Sequence, residues 1–292
     1  GIEVIPLQQC LGHLEYVFRW RRYRRFAENR RYPSTLCLSQ PAGKRLVQGM
    51  LREIVAAHPS SRFVHLGMDE AHALASCPRC RAKGDVLTVF LDYLRELCDL
   101  CDAFGKTPII WSDMLEDHFR PDVFADIRHR VILAPWDYGR HDTVDYQVRV
   151  GGWRVSRAWL QEPGNPAAPP IGPGTKYIED LDPKVARVVA PYRRGRGYRP
   201  LLLADLWTKL GFRIIGPSRV RVSSDGPVMP DANLSRNNLA AWVQAMKRTR
   251  QLGVIATSWE RGTTFCPPNF NFDLTWPQTA FLARALGAKP EP

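Results

Sequence analysis

Residues 63–70 read Phe-Val-His-Leu-Gly-Met-Asp-Glu, a short apolar run that ends at a glycine and is followed at once by two acids. In residues 87–104, farther along the chain, apolar side chains recur at helical spacing. A second short apolar run, at residues 108–111, follows that helical pattern. A strand, a helix and another strand in this order predict a parallel βαβ unit.

The same alternation extends on both sides of this unit. The other predicted strands are residues 2–7, 131–134, 212–215 and 254–257, and the other predicted helices are residues 44–57 and 239–249. These strands are short and apolar and largely lack period-two alternation, which is typical of a sheet covered on both faces. The predicted fold class is therefore α/β, either a doubly wound sheet or a (β/α)8 TIM barrel.

The residues that follow the strands favour the barrel. No G-x-G-x-x-G or P-loop sequence follows any predicted strand, so nucleotide binding lacks its usual support. Polar and aromatic residues follow most of the strands instead. They are Gln8, Gln9 and His13, then Asp69, Glu70 and His72, then Ser112 and Asp113, then Trp136, Asp137 and Tyr138, and finally Ser258, Trp259 and Glu260. The carboxyl ends of barrel strands meet at one mouth, where such residues form active sites.

The predicted barrel falls short of a full set of strands. Six strands are predicted, whereas a closed barrel of this type has eight. Together with the absence of an initiating Met at Gly1, this count predicts a barrel that is incomplete at its N-terminus. We expect residues 1–292 to form a single catalytic barrel domain, with a Pro/Gly-rich insertion at about residues 151–200.

Asp69 and Glu70 are the most informative acids in the chain. Adjacent side chains on a regular strand point to opposite faces, so both serve one site only if the strand has ended and the chain is turning, which Gly67 permits. Close carboxylates favour one protonated and one ionised member, because like charge and apolar walls raise one pKa. The pair predicts an acid beside a charged partner, the alternative being a solvated surface dipeptide.

Three tryptophans also follow predicted strands, each beside a polar residue. They are Trp111, Trp136 and Trp259. Indole faces stack on the C–H face of a sugar ring, although a single tryptophan is explained as well by ordinary packing. Three of them at strand ends, together with the acid pair, indicate a saccharide pocket.

Four segments resemble the barrel of glycoside hydrolase family 20, in particular its hexosaminidase D-like branch. The segments are residues 1–15, residues 65–70 (His-Leu-Gly-Met-Asp-Glu), residues 110–115 (Ile-Trp-Ser-Asp-Met-Leu) and residues 257–261 (Thr-Ser-Trp-Glu-Arg). The resemblance implies a β-N-acetylhexosaminidase that removes terminal N-acetylglucosamine or N-acetylgalactosamine with retention of configuration and without a cofactor. It begins at the third barrel strand of the family, so an arginine that grips sugar hydroxyls is expected to be absent. The alternative is a non-catalytic carbohydrate-binding or truncated remnant.

The resemblance also implies a role for each candidate site residue. In this family the 2-acetamido oxygen of the substrate attacks the anomeric carbon, in place of a protein nucleophile. Glu70 would be the general acid and base, Asp69 would hold the acetamido group and stabilise the oxazolinium intermediate, and His13 would hydrogen-bond to this pair. Tyr138 would bind the acetamido oxygen. The other expected substrate contacts are Trp111, Asp113, Trp136, Trp259 and Glu260.

Seven cysteines leave open a metal-binding alternative. Cys77-x2-Cys80 and Cys98-x2-Cys101 have the spacing of a four-cysteine zinc site. Cys98 and Cys101, however, lie on the apolar face of the helix predicted at residues 87–104, where burial explains them without a metal. No metal is assigned to the catalytic site.

Charge and hydropathy bear on the expected partners and location. The chain has 41 Lys+Arg against 29 Asp+Glu and a formal net charge of +12, but the surplus is concentrated in two arginine clusters, residues 19–31 and 193–199. A saccharide substrate is expected rather than nucleic acid. The longest apolar runs are too short to span a membrane, and no signal-peptide pattern follows Gly1. Unpaired cysteines favour the cytoplasm.

Overall fold

The computed structural model describes residues 2–141, 144–160, 174–222, 231–259 and 275–287. The chain divides into two compact units, one made of Gly1–Leu115 with Asp122–Ala134 and the other of Glu116–Pro121 with Pro135–Pro292. The single-domain organisation expected from the sequence stays a prediction.

A parallel sheet lies at the centre of the first unit. Strand β1 (Phe63–His65) pairs with β2 (Thr107–Trp111), and β2 pairs with β3 (Ile132–Ala134). The three strands lie within the predicted runs or within one residue of them. Their side chains are almost all buried, as continuous apolar runs predict for a sheet covered on both faces.

The first unit also contains helices, of which α5 (Val86–Ala103) packs against β2. They are α1 (Glu15–Phe18), α2 (Arg21–Arg24), α3 (Pro41–Ala57), α4 (Pro78–Arg81), α5 (Val86–Ala103) and the start of α6 (Asp113–Asp117). Helix α3 buries Val47, Leu51 and Val55, which recur every fourth residue. Helix α5 begins where the Asp85 carboxylate accepts a hydrogen bond from the Thr88 backbone N–H at 2.8 Å. Both long helices confirm the helical spacing in the sequence.

The opening segment differs from its prediction. Residues 2–7 form no regular strand; Leu7 makes one parallel bridge to His65. The Pro6 carbonyl accepts from the His65 N–H at 2.8 Å, and the Gln8 N–H donates to the His65 carbonyl at 2.9 Å. Pro6 has no N–H with which to extend a ladder, and Ile2 is 97% exposed. The chain therefore runs beside β1 without becoming a full strand.

The second unit is built from shorter elements. Its strands are β4 (Gln147–Arg149), β5 (Trp153–Val155), β6 (Arg193–Arg194), β7 (Gly197–Tyr198), β8 (Arg213–Ile214), β9 (Gly216–Arg221) and β10 (Val254–Ser258). Its helices are α7 (Arg157–Leu160), α8 (Pro183–Val189), α9 (Leu202–Lys209), α10 (Ala232–Thr249) and α11 (Trp276–Ala285). Single 3-10 turns lie at Ile178–Asp180 and Ala190–Tyr192.

Strands β9 and β10 form the parallel pair of this unit, with Val254 opposite Gly216. Helix α10 packs on the pair through a buried cluster that contains Val220, Leu239 and Val243. The predicted strand at residues 254–257 is therefore confirmed. Strand β9 was not predicted, because its sequence begins Gly-Pro and contains two arginines.

Several short elements lie in the region that the sequence assigns to an insertion. Strands β5 to β7 and helices α7 and α8 lie between residues 151 and 200, whereas the Pro-rich stretch at residues 163–173 falls outside the described residues. Within neither unit do the described strands close into a barrel. Across the described ranges, no helix combines the length and the apolarity that a bilayer crossing requires.

Candidate active site

The acid pair lies on a turn that begins where β1 ends. Gly67, Met68 and Glu70 have φ angles of 66°, 76° and 47°, all in the left-handed region. Left-handed backbone suits glycine but is strained for residues that carry a Cβ atom. The strand ends at His65, so Asp69 and Glu70 are released from strand alternation, as the position of Gly67 predicted.

His13 joins the two acids. Its Nε2 atom lies 3.2 Å from Asp69 Oδ2 and 3.3 Å from Glu70 Oε2. The Asp69 side chain is 13% exposed and the Glu70 side chain is 42% exposed. Both carboxylates therefore face one imidazole, and Glu70 is the acid that a molecule arriving from solvent reaches more easily.

This contact changes the acidity of the imidazole. The hydrogen bonds with Asp69 and then Glu70 raise the pKa of His13 from 6.5 to about 10, and burial opposes them. At neutral pH His13 is consequently an imidazolium that partly neutralises two carboxylates. The Nε2 proton of His13 therefore lies between the carboxylates of Asp69 and Glu70.

Replacing His13 with Gln should destabilise the protein in a pH-dependent way. Because the folded pKa of His13 is raised, its contribution is fully present below its unfolded value of about 6.5 and disappears as pH rises towards about 10. Solvent screening of this partly exposed group limits the effect to about 1 kcal/mol. Urea unfolding of both proteins at pH 6 and pH 10 measures it, and an equal loss at both pH values would contradict the charged assignment.

The segment before His13 holds Asp69 in place. Gln9 Nε2 donates to Asp69 Oδ1 at 3.3 Å. The backbone at Gly12 passes so near the Asp69 carbonyl oxygen that an added Cβ atom would overlap it. The short opening segment and the acid turn are therefore in direct contact through both side chain and backbone.

Asp113 supports the same turn from the start of α6. Its Oδ2 atom accepts a hydrogen bond from the Glu70 backbone N–H at 2.9 Å, and the residue is fully buried. The structure thus gives Asp113 a positioning contact with Glu70. The sugar contact expected for Asp113 from the sequence stays a prediction.

Replacing Asp113 with Ala should therefore weaken the site without touching the acids directly. The change leaves the Glu70 N–H without this acceptor, which costs about 1–3 kcal/mol for a buried donor. We expect a lower melting temperature and a kcat that falls more than KM rises. Asp113→Asn keeps an acceptor oxygen and should restore most of kcat; equal losses in both variants would contradict the positioning role.

His65 is a part of the site that sequence reasoning did not assign. Burial lowers its pKa to about 4, so the ring is neutral, and its Nδ1 atom accepts a hydrogen bond from the Gly67 N–H at 3.0 Å. Its ring lies 4.5 Å from that of Trp111, which is only 4% exposed. Trp111 therefore packs against the turn, and the substrate contact expected of it stays a prediction. The sequence feature that could have identified His65 is its position within an otherwise apolar predicted strand.

The second unit brings together three of the other predicted residues. The rings of Trp136 and Tyr138 stack with centroids 5.5 Å apart and an interplanar angle of 19°. Trp259 Nε1 donates to the Tyr138 hydroxyl oxygen at 2.9 Å, and Trp259 is 39% exposed. Asn238 of helix α10 anchors their loop, since its side-chain amide donates to the Asp137 and Gly139 carbonyls. Glu260 lies outside the described residues.

A buried histidine in the second unit was also missed. His141 lies between two carboxylates, with Nδ1 at 2.9 Å from Asp145 and Nε2 at 3.2 Å from Asp137. Burial alone would lower the pKa of His141, but the charge of Asp137 and hydrogen bonds to both acids raise it to about 10. The sequence feature that could have identified this cluster is the regular spacing of Asp137, His141 and Asp145, which lie four positions apart. Their ion cluster lies directly beside Trp136 and Tyr138 in sequence.

The four-cysteine zinc arrangement considered from the sequence is not formed. Cys98 and Cys101 are buried on helix α5, where burial raises the pKa of both thiols to about 12. The described residues that could together hold a metal include Cys77 and Cys80, but not the helical pair. Helical periodicity was therefore the correct guide to Cys98 and Cys101.

Comparison with known proteins finds similarity over the part of the chain that contains the acid pair. Residues 13–155 match the family described as glycosyl hydrolase family 20, catalytic domain. Hexosaminidase D of Bos taurus is 30% identical over 152 residues, which are 47% of this chain and 42% of that protein. Hexosaminidase D of Homo sapiens is 28% identical over 145 residues, or 47% of this chain and 30% of that protein. The chain thus spans less than half the length of these relatives.

The structure also resembles a solved structure. The crystal structure of Dispersin B matches with a TM-score of 0.55 and 15% identity over 98% of this chain and 71% of that one, which shows the fold alone. His13, Asp69 and Glu70 all lie within the matched residues 13–155. The matched segment is similar to the catalytic domain of glycosyl hydrolase family 20, and both of the relatives compared above are named hexosaminidase D.

Proposed function

We propose that this protein is a β-N-acetylhexosaminidase that removes terminal N-acetylglucosamine or N-acetylgalactosamine from β-linked glycans or glycoconjugates. The observation that carries the proposal is the cluster of His13, Asp69 and Glu70 at the end of β1, within the segment that matches the family. The proposed architecture is the family's (β/α)8 barrel, to which β1, β2 and β3 contribute consecutive parallel strands.

In the first step, Glu70 donates a proton to the glycosidic oxygen as its bond to the anomeric carbon breaks. The 2-acetamido oxygen of the substrate forms a new bond to that carbon and gives a cyclic oxazolinium ion. The higher exposure of Glu70 suits contact with a leaving group. Glu70 enters this step protonated, and the contact with His13 Nε2 holds its carboxyl group in place.

Asp69 has a different role in this proposal. Its carboxylate accepts a hydrogen bond from the acetamido N–H and stabilises the positive charge that develops on the acetamido group. Gln9 donates to one Asp69 oxygen and His13 to the other, so both contacts restrict the rotation of the carboxylate. A fixed carboxylate stabilises a developing charge at less reorganisation cost than a mobile one.

In the second step, water attacks the anomeric carbon and the acetamido group is restored. Glu70, now ionised, accepts the proton of that water as a general base, and the product retains its configuration. The proposal needs no metal or cofactor for either step, because the acid, the base and the nucleophile are supplied by Glu70, water and the substrate itself.

The remaining substrate contacts stay predictions. Tyr138 is proposed to donate a hydrogen bond from its hydroxyl group to the acetamido oxygen, with Trp136 and Trp259 as stacking faces. The ring contact of Trp136 with Tyr138 and the hydrogen bond from Trp259 to Tyr138 support a shared role for the three. Glu260 is proposed to bind sugar hydroxyls.

Hydrolysis of paired chromogenic substrates tests the function. The protein should cleave an aryl N-acetyl-β-glucosaminide or galactosaminide and leave the matching aryl β-glucoside intact, because the latter lacks the acetamido nucleophile. Equal cleavage of both would contradict substrate assistance. Saturable binding of N-acetylglucosamine without any turnover would replace the proposal with the non-catalytic alternative.

A further inference from the structure

Three sulfur atoms and a carboxylate lie together at helix α4. The cluster contains Glu28, Cys37, Cys77 and Cys80, whose potential ligand atoms all lie within 4.8 Å of one another. Cys37 Sγ is 3.8 Å from Cys77 Sγ and 3.7 Å from Cys80 Sγ, and Glu28 Oε2 is 3.3 Å from Cys80 Sγ. Only Cys77 of the four is more than slightly exposed.

These separations are the ones that a tetrahedral ion imposes. With Zn–S bonds of about 2.3 Å and Zn–O bonds of about 2.0 Å, tetrahedral angles place two sulfurs about 3.8 Å apart and a sulfur and an oxygen about 3.5 Å apart. A disulfide needs its sulfurs about 2.05 Å apart, so these thiols are not bonded to one another. The four groups therefore converge as ligands do, not as disulfide partners do.

The local backbone arranges the sulfurs as in a metal-binding knuckle. Cys77 is the N-cap of α4, and its sulfur accepts a hydrogen bond from the Cys80 backbone N–H at 3.4 Å. Pro78 occupies the first turn, where its missing N–H costs nothing. The Cys-x2-Cys spacing thus turns both sulfurs to one side of a short helix.

Neighbouring groups orient the other two ligands. The Cys77 backbone N–H donates to Glu28 Oε1 at 2.9 Å, which leaves Oε2 on the side of Cys80. Ser39 Oγ donates to Cys80 Sγ at 3.0 Å. Outer hydrogen bonds of this kind fix ligand direction in metal sites.

The surrounding charge suits an anionic metal centre. Three thiolates and a carboxylate around a divalent cation carry a net charge of about −2. Arg30, Arg31 and Arg79 line the open pocket next to Glu28 and Cys77. These cations would offset the excess negative charge of a loaded site.

We propose that Glu28, Cys37, Cys77 and Cys80 bind a structural zinc ion. Four protein ligands close the coordination shell and leave no position for substrate, which is the mark of a structural rather than a catalytic zinc. The ion would fasten residues 28–37 to the chain that follows Glu70. Its proposed role is separate from the hydrolytic chemistry.

Metal analysis of the purified full chain tests the site. Cys→Ala variants in the cluster are compared with matched Cys→Ala variants on helix α5. The unaltered protein should contain about one zinc per chain. Cys80→Ala and Glu28→Gln should raise the zinc Kd at least about 100-fold, whereas Cys98→Ala and Cys101→Ala should keep the metal. Retention of zinc in Cys80→Ala, or loss in Cys98→Ala with a folded circular dichroism spectrum, would overturn the assignment.

A spectroscopic measurement on the unaltered protein tests the site even if the variants fail to fold. Cobalt(II) added to the unaltered, metal-stripped protein should give the strong near-ultraviolet thiolate-to-cobalt absorption of a three-sulfur tetrahedral site. No such absorption, or an intact mass two hydrogens lower from a disulfide within the cluster, would overturn the zinc site. Neither readout depends on glycoside hydrolysis, so this proposal and the proposed function fail independently.

Discussion

Glu70→Gln should lower kcat/KM for an N-acetyl-β-hexosaminide with a sugar leaving group by about 10²–10⁴-fold. Glutamine has nearly the shape of glutamic acid but has no acidic proton to donate. Since Glu70 contacts His13 through one carboxylate oxygen and Asp113 through its backbone N–H, the amide should keep the turn folded. The loss should therefore appear in catalysis rather than in stability.

The leaving group separates this acid role from a structural one. A nitrophenolate departs without help from an acid, so Glu70→Gln should retain more of its activity on an aryl substrate than on a disaccharide. The pH profile of the variant should also lose the limb due to the general acid. Glu53→Gln, which changes an exposed acid on α3, serves as the matched control and should behave like the parent. Equal losses on aryl and sugar leaving groups would remove Glu70 from the acid role.

Asp69→Asn should lower kcat by about 10²–10³-fold with little change in KM. The substitution removes the negative charge that would face the developing oxazolinium, an interaction stronger in the transition state than in the ground state. It also places an amide next to His13, whose imidazolium is stabilised by both carboxylates. The pKa of His13 should therefore fall towards its ordinary value.

Fluorinated acetamido substrates report on the same step. Each added fluorine makes the acetamido oxygen a poorer nucleophile, so the parent enzyme should slow progressively along a fluoroacetyl series. In Asp69→Asn the rates should be lower throughout the series and fall more steeply, because the positive charge is less well stabilised. Asp122→Asn, at an exposed position, is the matched control. A parent rate that does not change with fluorination would contradict attack by the acetamido oxygen.

Much of the first unit follows from hydrophobic periodicity. The spacing of Val47, Leu51 and Val55 predicts helix α3, and the apolar run at residues 63–66 predicts β1. In both cases the side chains that carry the pattern are those that the structure buries. Burial is the physical cause of the pattern, so these elements are readable without coordinates.

Elements that break the pattern were missed or overextended. Strand β9 carries Arg219 and Arg221, which are 4% and 2% exposed, so its polar sequence conceals a buried strand. Across the β9 and β10 pair, Ser218 Oγ donates to the Ile255 carbonyl and Thr257 Oγ1 donates to the Ser218 carbonyl, contacts that span 37 and 39 residues. The strand predicted at residues 2–7 is the opposite case. Its β-branched side chains suggested a buried strand, but they are largely exposed.

The candidate site likewise has features that local sequence reveals and features that depend on distant contacts. Gly67 and the order Asp69-Glu70 reveal a turn that releases two acids, because this information is local. The convergence of His13 on both acids depends on a contact across more than fifty residues, and only the family resemblance anticipated it. Glu28 and Cys37 approach Cys77 and Cys80 from about forty residues or more away, and no local spacing marks them as partners.

The close packing at Gly12 has a consequence for engineering. Because even a single methyl group there collides with the Asp69 carbonyl oxygen, the chain leading to His13 and the loop bearing the acids cannot be displaced separately. Any redesign of this loop would therefore have to keep glycine at position 12. In a random library, variants with any other residue at position 12 are expected to have a displaced acid loop.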